Sequence, residues 1–298
     1  MIHGPRSWQV KSMTRKNNYS TFIIAALFGL LALVWGNILF ARPNSYPTFY
    51  FLDVGQGDSE LVVFPDNVKI MTDAGPDQKV IKSLERAIGG NTYIDLAIVS
   101  HPQLDHFNGF NYLLDKYTFG AFIINGRDDT KTVEEWPALL KKIKERNIPL
   151  ITLGEGDSIL HQSSSISMLA PNASYIESGE LNDTGLVELI KTGQARAIFT
   201  ADIGANIEEY ISKKFNASAD ILKVSHHGSK YSSSDIFLKA VNPKVTIIEV
   251  GKNNRYGHPT KEALERLENA TKNVFRTDQN GTVKIVAQEK KLLVFTEK

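Results

Sequence analysis

The sequence predicts a layered α/β domain carried behind a single membrane-spanning helix. Three observations lead there. From residue 48 to the C-terminus, apolar segments of strand length alternate with helical patterns, the order expected of sheets covered by helices. Near the start, Thr21 to Ala41 forms a 21-residue run without a charge. The chain has 298 residues, 42% of them hydrophobic, enough for one large domain with a substantial core. Pattern alone leaves several layered packings open, two sheets held between helices among them.

The run TFIIAALFGLLALVWGNILFA matches the roughly 20 residues that a helix needs to cross a bilayer. No polar stripe interrupts it, which disfavours a helix on the surface of the globular domain. Arg6, Lys11, Arg15 and Lys16 precede it and Arg42 alone follows closely, so the cytoplasmic excess of positive charge places the N-terminus inside and the rest outside. Cleavage as a signal peptide, which would secrete the domain, is the alternative. It is disfavoured because Leu39 would occupy the −3 position of a cleavage site after Ala41. The expected layout is a basic segment over 1–20, the anchor over 21–41, a stiff linker over 42–47 containing PNSYP, and the α/β domain over 48–298.

Within that domain, strands are expected at 49–54, 61–64, 94–99, 121–124, 186–190, 197–200, 221–224, 245–250 and 283–286. Helices are expected at 80–87, 133–145, 203–213, 235–240 and 261–269. There is no internal repeat and no low-complexity tract.

Composition removes several functions. With no cysteine there are no disulfides, thiolate ligands or cysteine nucleophile, so a bound metal has only nitrogen and oxygen donors. Beyond residue 42 the chain has 29 basic against 33 acidic residues, so any site for a phosphate backbone must be a local patch.

The chemistry concentrates in loops that follow apolar strands. SHPQLDHFNG, Ser100 to Gly109, follows IDLAIV, and ligands gather where strands of α/β sheets end. Its spacing can turn His101, Asp105 and His106 toward one point, a donor set that zinc or manganese accepts. The plainer reading is a polar loop in which Asp105 caps the helix near Asn108. In AIFTADI, Asp202 ends a strand where a carboxylate can bridge two cations or cap the next helix. SHHGS, Ser225 to Ser229, follows DILKV, and neighbouring side chains on an extended chain point apart. His226 and His227 are therefore expected to do different jobs, one at a metal and the other toward substrate or behind a ligand; the alternative is a surface turn at Gly228. Ser229 lacks the strand-turn-helix elbow of a serine nucleophile. In RYGHPT, His258 is held between Gly257 and Pro259, suited to handling a proton, or else it is an ordinary loop histidine. Five of the seven histidines lie in these three histidine-bearing loops, which argues for a metal site.

FLDVGQGDS at Phe51 to Ser59, TDAG at Thr72 to Gly75, the SH-x-x-x-DH-x-x-G loop, TADI, LKVSHHGS and YGHP occur in order. Together they resemble the metallo-β-lactamase superfamily, specifically the extracytoplasmic hydrolase domain of the competence protein ComEC and its stand-alone relatives, over residues 48 to 287. The resemblance implies an αββα sandwich with metals at one edge, held by His101, Asp105, His106, Asp202 and His226. Gln103 departs from the histidine or aspartate usual there, and Gly185 replaces the serine of the N-x-x-S-L-V segment; Asn182 or Asp183 is expected near the first metal. Asp53, Asp58 and Asp73 are expected as loop-setting or supporting groups.

The expected function is metal-dependent hydrolysis by a metal-bound hydroxide on one or two divalent ions, zinc or manganese, with a lean toward manganese. Asp105 would orient that water or take its proton; His258, or else His227, would stabilise phosphoryl charge or protonate the leaving oxygen. The resemblance implies a phosphodiester substrate, nucleic acid or a phosphorylated envelope polymer. The alternatives are an amide or ester hydrolase of lactamase or lactonase type, and a non-catalytic membrane-tethered binding protein. The membrane itself is the expected partner through residues 21–41, and no protein partner is expected. No second apolar run of comparable length follows Ala41, so a role in DNA uptake would need a separate channel protein.

Overall fold

The computed structural model describes residues 1, 19–40, 46–127, 134–178 and 180–298. Contacts divide the chain into two units, Met1–Pro43 and Asn44–Lys298. In the first, the uncharged run forms a helix over Tyr19–Phe40, on which Phe22, Ile23, Leu27, Phe28 and Leu31 are exposed. Among the described residues no helix is long and apolar enough to cross a membrane, so their part of this helix does not itself meet the expectation of a span. The basic residues of 2–18, Ala41 at the end of the expected anchor and residues 42–45 of the expected linker lie outside the described residues.

The second unit is built on two sheets. The first contains β1 (Thr48–Phe51), β2 (Glu60–Val63), β3 (Lys69–Thr72), β4 (Tyr93–Ile98), β5 (Thr118–Ile124) and β6 (Leu150–Thr152). The second contains β7 (Ser158–His161), β8 (Ser164–Ala170), β9 (Val187–Lys191), β10 (Arg196–Phe199), β11 (Ile221–Lys223), β12 (Val245–Ile248) and β13 (Val274–Arg276). The last two strands, β14 (Val283–Gln288) and β15 (Lys291–Thr296), return to the first sheet, whose order is β15-β14-β1-β2-β3-β4-β5-β6. The second sheet runs β13-β12-β11-β10-β9-β8-β7. Each sheet is antiparallel on one side and parallel on the other: β3 to β6 are parallel, as are β10 to β13.

Side chains alternate across a strand, and here both faces are covered. Phe49, Phe51, Val62 and Phe64 enter a core between the sheets with Ile190, Ala197, Phe199 and Ile247. Leu52, Leu61 and Val63 point the other way, against helices Lys79–Ile88 and Glu135–Glu145. A third core lies under helices Ala205–Lys214, Asp235–Val241 and Lys261–Ala270. The layers are therefore helix, sheet, sheet, helix, and the αββα sandwich implied by the resemblance is the observed architecture. Phe51 and Phe199 meet edge to face across the sheets at 5.6 Å, and truncating either ring to alanine costs about 3–5 kcal/mol.

The nine expected strands and five expected helices form, with ends shifted by a few residues and residue 133 outside the described part. The structure adds β3, β6, β7, β8, β13 and β15, together with short helices at Leu104–Phe107, Gly109–Leu113, Ala173–Ser178 and Thr277–Asn280.

A buried carboxyl also joins the sheets: Thr72 Oγ1, at the end of β3, donates to Glu188 Oε1 on β9 at 2.9 Å. Burial pushes Glu188 up to about 8; the Thr72 hydrogen bond opposes this and the Asp73 charge adds to it. The folded chain thus holds a proton that the unfolded chain releases, and folded stability falls as pH rises from 4.5 toward about 8. Glu188→Gln removes that loss. Measured by thermal unfolding across this window, the melting temperature of the variant rises relative to the parent with increasing pH; a constant difference would contradict the assignment.

Candidate metal centre

At one edge of the sandwich, loops from both sheets bring their polar residues together. The first sheet contributes Asp58 before β2, Asp73 after β3, and the segment after β4 with His101, Asp105 and His106. The second contributes Asp202 after β10, His226 and His227 after β11, and Glu249 after β12. Two glycines permit this close approach. Gly57 has φ +142°, and a Cβ there would stand 2.2 Å from the Asp105 carbonyl oxygen; a Cβ on Gly109 would stand 1.9 Å from that of Ala74. The loops then bond directly, Asp58 N to Asp105 O at 3.1 Å and Ala74 N to His106 O at 2.6 Å.

His106 lies at the centre. Its Nδ1 meets Asp73 Oδ2 at 2.7 Å, which fixes the ring and leaves Nε2 facing Asp202 Oδ2 at 3.3 Å. His227 is buried and aimed at the same place: Nδ1 lies 2.9 Å from the Glu249 carbonyl, and Nε2 lies 3.4 Å from Asp105 Oδ2 and 3.5 Å from Asp202 Oδ2. One compact donor set is therefore Asp105, His106 and His227, and another is His101, His106 and Asp202, the atoms of each set lying within 4.8 Å of one another. The Nε2 atoms of His101, His106 and His227 and the Oδ1 of Asp202 are buried without a hydrogen-bond partner. Each such orphan costs about 1–3 kcal/mol, and several converging on one point fit a divalent cation that takes nitrogen and oxygen donors.

Electrostatics agree with that fit. Burial lowers His106, but the Asp202 and Asp73 carboxylates outweigh it and raise the ring well above its ordinary value. Asp202 is held well below the carboxylate range, against burial, by His227 and His106. Asp105 is brought to about 2, against burial, by the His227 imidazole 3.4 Å away and by His106. His101 falls to about 4 through burial and the His106 charge, so it is a neutral donor.

The adjacent histidines stand differently toward the donor cluster. His226, assigned to the metal from the resemblance, is 32% exposed and its Nε2 is 4.0 Å from Asp202 Oδ2, while His227, assigned to proton handling, points into the donor cluster. The cause is local: both residues have left-handed φ, +49° and +51°, so the rule that extended neighbours point apart does not say which faces inward. Glu208 holds this strained turn, accepting from Ser225 Oγ at 3.1 Å, Ser233 N at 2.6 Å and Ser234 N at 2.8 Å.

Gln103 Nε2 donates to Asn182 Oδ1, and Asn182 Nδ2 reaches His226 Nε2 at 3.3 Å. Asp183 turns away to the backbone N of Gly204 and the amide of Asn206. A Cβ on Gly185 would stand 2.8 Å from that of Ala201, so serine does not fit there without a shift. Asp53 binds Lys298 at 3.1 Å outside the cluster. His258 sits beside His226, ring centroids 5.6 Å apart, with its Nδ1 buried and unpartnered; burial and then His226 and His227 bring it to about 4. Sequence reasoning missed Glu208, Glu249 and Lys223. Lys223 is wholly buried, donates to Asp58 Oδ2 and to Ala201 O at 2.9 Å, and is lowered by burial to about 7. Its signal was a lysine inside an apolar strand, DILKV.

The chain matches the family model described as Metallo-beta-lactamase superfamily over residues 52–251. It is 30% identical over 252 residues to ComE operon protein 3 of Bacillus subtilis (strain 168), covering 78% of this chain and 32% of that protein. It is 26% identical over 299 residues to Recombination protein 2 of Haemophilus influenzae, covering 94% of this chain and 35% of that one. The chain thus spans about a third of the length of these relatives. Among solved structures, the metallo-beta-lactamase fold protein YhfI from Bacillus subtilis shares the fold with a TM-score of 0.50 at 12% identity, covering 77% of this chain and 96% of that one. With its sandwich and donor-bearing loops in place, the chain belongs to the metallo-beta-lactamase superfamily of metal-dependent hydrolases, in kinship with ComE operon protein 3.

Proposed function

We propose that this chain is a metal-dependent phosphodiesterase, tethered to the cytoplasmic membrane by the helix Tyr19–Phe40 with its hydrolase domain outside. The observation that carries the hydrolase is the convergence of three buried, unpartnered Nε2 atoms with Asp105 and Asp202. The phosphodiester is supported by the ComEC-like motif series and by the relative named for recombination. The tether is supported by the uncharged, exposed helix and the basic residues before it.

In this reading Asp105, His106, Asp202 and His227 would hold one cation, and His101, with the amides of Gln103 and Asn182 nearby, would offer a weaker second position. A bound zinc or manganese ion lowers the pKa of water toward neutrality and polarises a phosphoryl oxygen. Asp105, held to about 2 by the neighbouring imidazoles, would orient the attacking water and take its proton. His258 is neutral near pH 7 and serves as a hydrogen-bond donor to the phosphoryl group. Asp73 and the Glu249 carbonyl keep the His106 and His227 rings oriented.

Metal content by elemental analysis and hydrolysis of bis-p-nitrophenyl phosphate test the activity. The wild type carries divalent metal and turns the substrate over, and Asp105→Ala loses about 100-fold or more. Metal-free protein that stays inactive with added zinc or manganese would favour a binding protein. For the histidine pair, His227→Ala weakens metal retention in a competition titration by about 100-fold, while His226→Ala leaves it within about threefold; the reverse order would return His226 to the ligand set. In carbonate-washed cell fractions the full chain stays with the membranes and a variant lacking residues 19–40 is released. Release of both would remove the tether.

A further inference from the structure

The donor cluster is anionic on one side and free of carboxylates on the other. Asp105 and Asp202 bring their carboxylates to His106 and His227. On the side of His101 stands a row of half-buried side chains that contains no acid: Gln103, Asn182, His226 and His258. Gln103 Nε2 donates to Asn182 Oδ1, Asn182 Nδ2 lies 3.3 Å from His226 Nε2, and the His226 and His258 rings meet edge to face at 5.6 Å. The residue after Asn182 is an acid, but Asp183 is turned away, accepting from Gly204 N at 3.1 Å and from Asn206 Nδ2 at 2.7 Å.

Backbone contacts set this row against the donors. Gln103 N donates to His101 O at 2.9 Å and Gln103 O accepts from His106 N at 3.0 Å, so the residue sits inside the loop that carries three donors. Asn182 opens a 3-10 turn, Asn182–Thr184, and the Gly185 that follows packs on Ala201, the residue before Asp202; a Cβ at Gly185 would stand 2.8 Å from that of Ala201. The turn is held from beneath: Asn125 Nδ2 donates to Thr184 O at 2.7 Å, and Thr184 is wholly buried. Asn182 is therefore in place before any ligand arrives.

Its direction is set as well. The bond from Gln103 occupies Asn182 Oδ1, which leaves the Nδ2 amino group as the end that faces His226. A carboxamide nitrogen is a donor only, with no lone pair to give a cation. An uncharged donor of this kind, positioned in advance and partly shielded from water, suits an oxygen on which negative charge develops.

We propose that Asn182 is a catalytic residue that donates from Nδ2 to a non-bridging oxygen of the substrate phosphoryl group, with Gln103 as the positioning residue that fixes its amide, and that this donor takes the weaker second position, so that one cation serves each chain. The proposal rests on the hydrolase reading, since the phosphoryl group is the one brought to Asp105, His106, Asp202 and His227.

The test uses the full chain in detergent, as wild type, Asn182→Ala, Asn182→Asp and Gln103→Leu. The probes are manganese alone, inorganic phosphate and bis-p-nitrophenyl phosphate. Wild type and Asn182→Ala each retain one manganese per chain by elemental analysis, with the electron paramagnetic resonance spectrum of an isolated ion. Asn182→Ala lowers kcat about 100-fold with KM within about threefold. Asn182→Asp keeps the shape and the acceptor for Gln103 but replaces the amino group by oxygen, and it falls at least as far. Gln103→Leu, which frees the amide to turn, loses about tenfold. Inorganic phosphate, with more charge on its oxygens than the diester, binds the manganese-loaded protein about tenfold more weakly in both Asn182 variants by calorimetry. Two exchange-coupled ions in the wild type, or loss of the ion from Asn182→Ala, overturns the proposal by making Asn182 a ligand. Full kcat and phosphate affinity in Asn182→Asp overturns it by making the residue structural. Wild-type protein that binds phosphate through Asn182 without hydrolysing the diester retains the oxyanion site while the hydrolase reading fails.

Discussion

Three buried carboxylates, those of Asp58, Asp73 and Asp202, surround the His106 imidazole, and the rest of the domain is arranged around that concentration of charge. Burying ionised carboxylates together is costly unless positive charge stands among them. The chain supplies part of it with Lys223, whose ammonium meets Asp58 from beneath and lies 4.0 Å from Asp202 Oδ1. His227 adds an imidazole whose Nδ1 is 3.2 Å from Asp58 Oδ1. What remains is a cluster of lone pairs pointing at one space, which is how a protein without cysteine prepares a strong cation site.

The same constraint explains the loops. Donors must approach closely from separate strands, so the backbones that carry them must touch, and Gly57 and Gly109 stand where any side chain would prevent it. At His226 and His227 the chain instead accepts left-handed backbone on residues with side chains, and the buried Glu208 carboxylate, bound by one hydroxyl and two amides, keeps that turn in place. Burial raises Glu208, with those hydrogen bonds opposing the rise. Its part in the site is structural, one step behind the residues that face the cation.

Much of this was legible in the sequence because apolar strands buried on both faces form continuous runs, and the runs of β4, β10 and β11 lead into loops whose histidines and aspartates meet in space. The strands that escaped notice break those rules for identifiable reasons. β7 and β15 lie at sheet edges and are largely exposed, so their apolar pattern is weak. β8 is rich in serine although three of its last four residues are apolar and buried, and β3 is only four residues long and opens with a lysine. The orientation of His226 and His227 could not be read because it depends on backbone dihedrals that no spacing rule encodes. Asp73 and Glu188 could be placed in loop and strand from sequence, but the partners that define them, His106 and Thr72, come from elsewhere in the chain.

The donors are divided between the two sheets: His101, Asp105 and His106 hang from the first, Asp202 and His227 from the second. Neither half offers a complete set, so tight cation binding requires both sheets to have formed and docked across the core of Phe51 and Phe199. A cation bound there would be a clasp on the open edge of the sandwich, adding stability to the finished fold and none to its separate halves. Metal uptake would thereby double as a check on assembly, since a chain with misplaced sheets would have half a site.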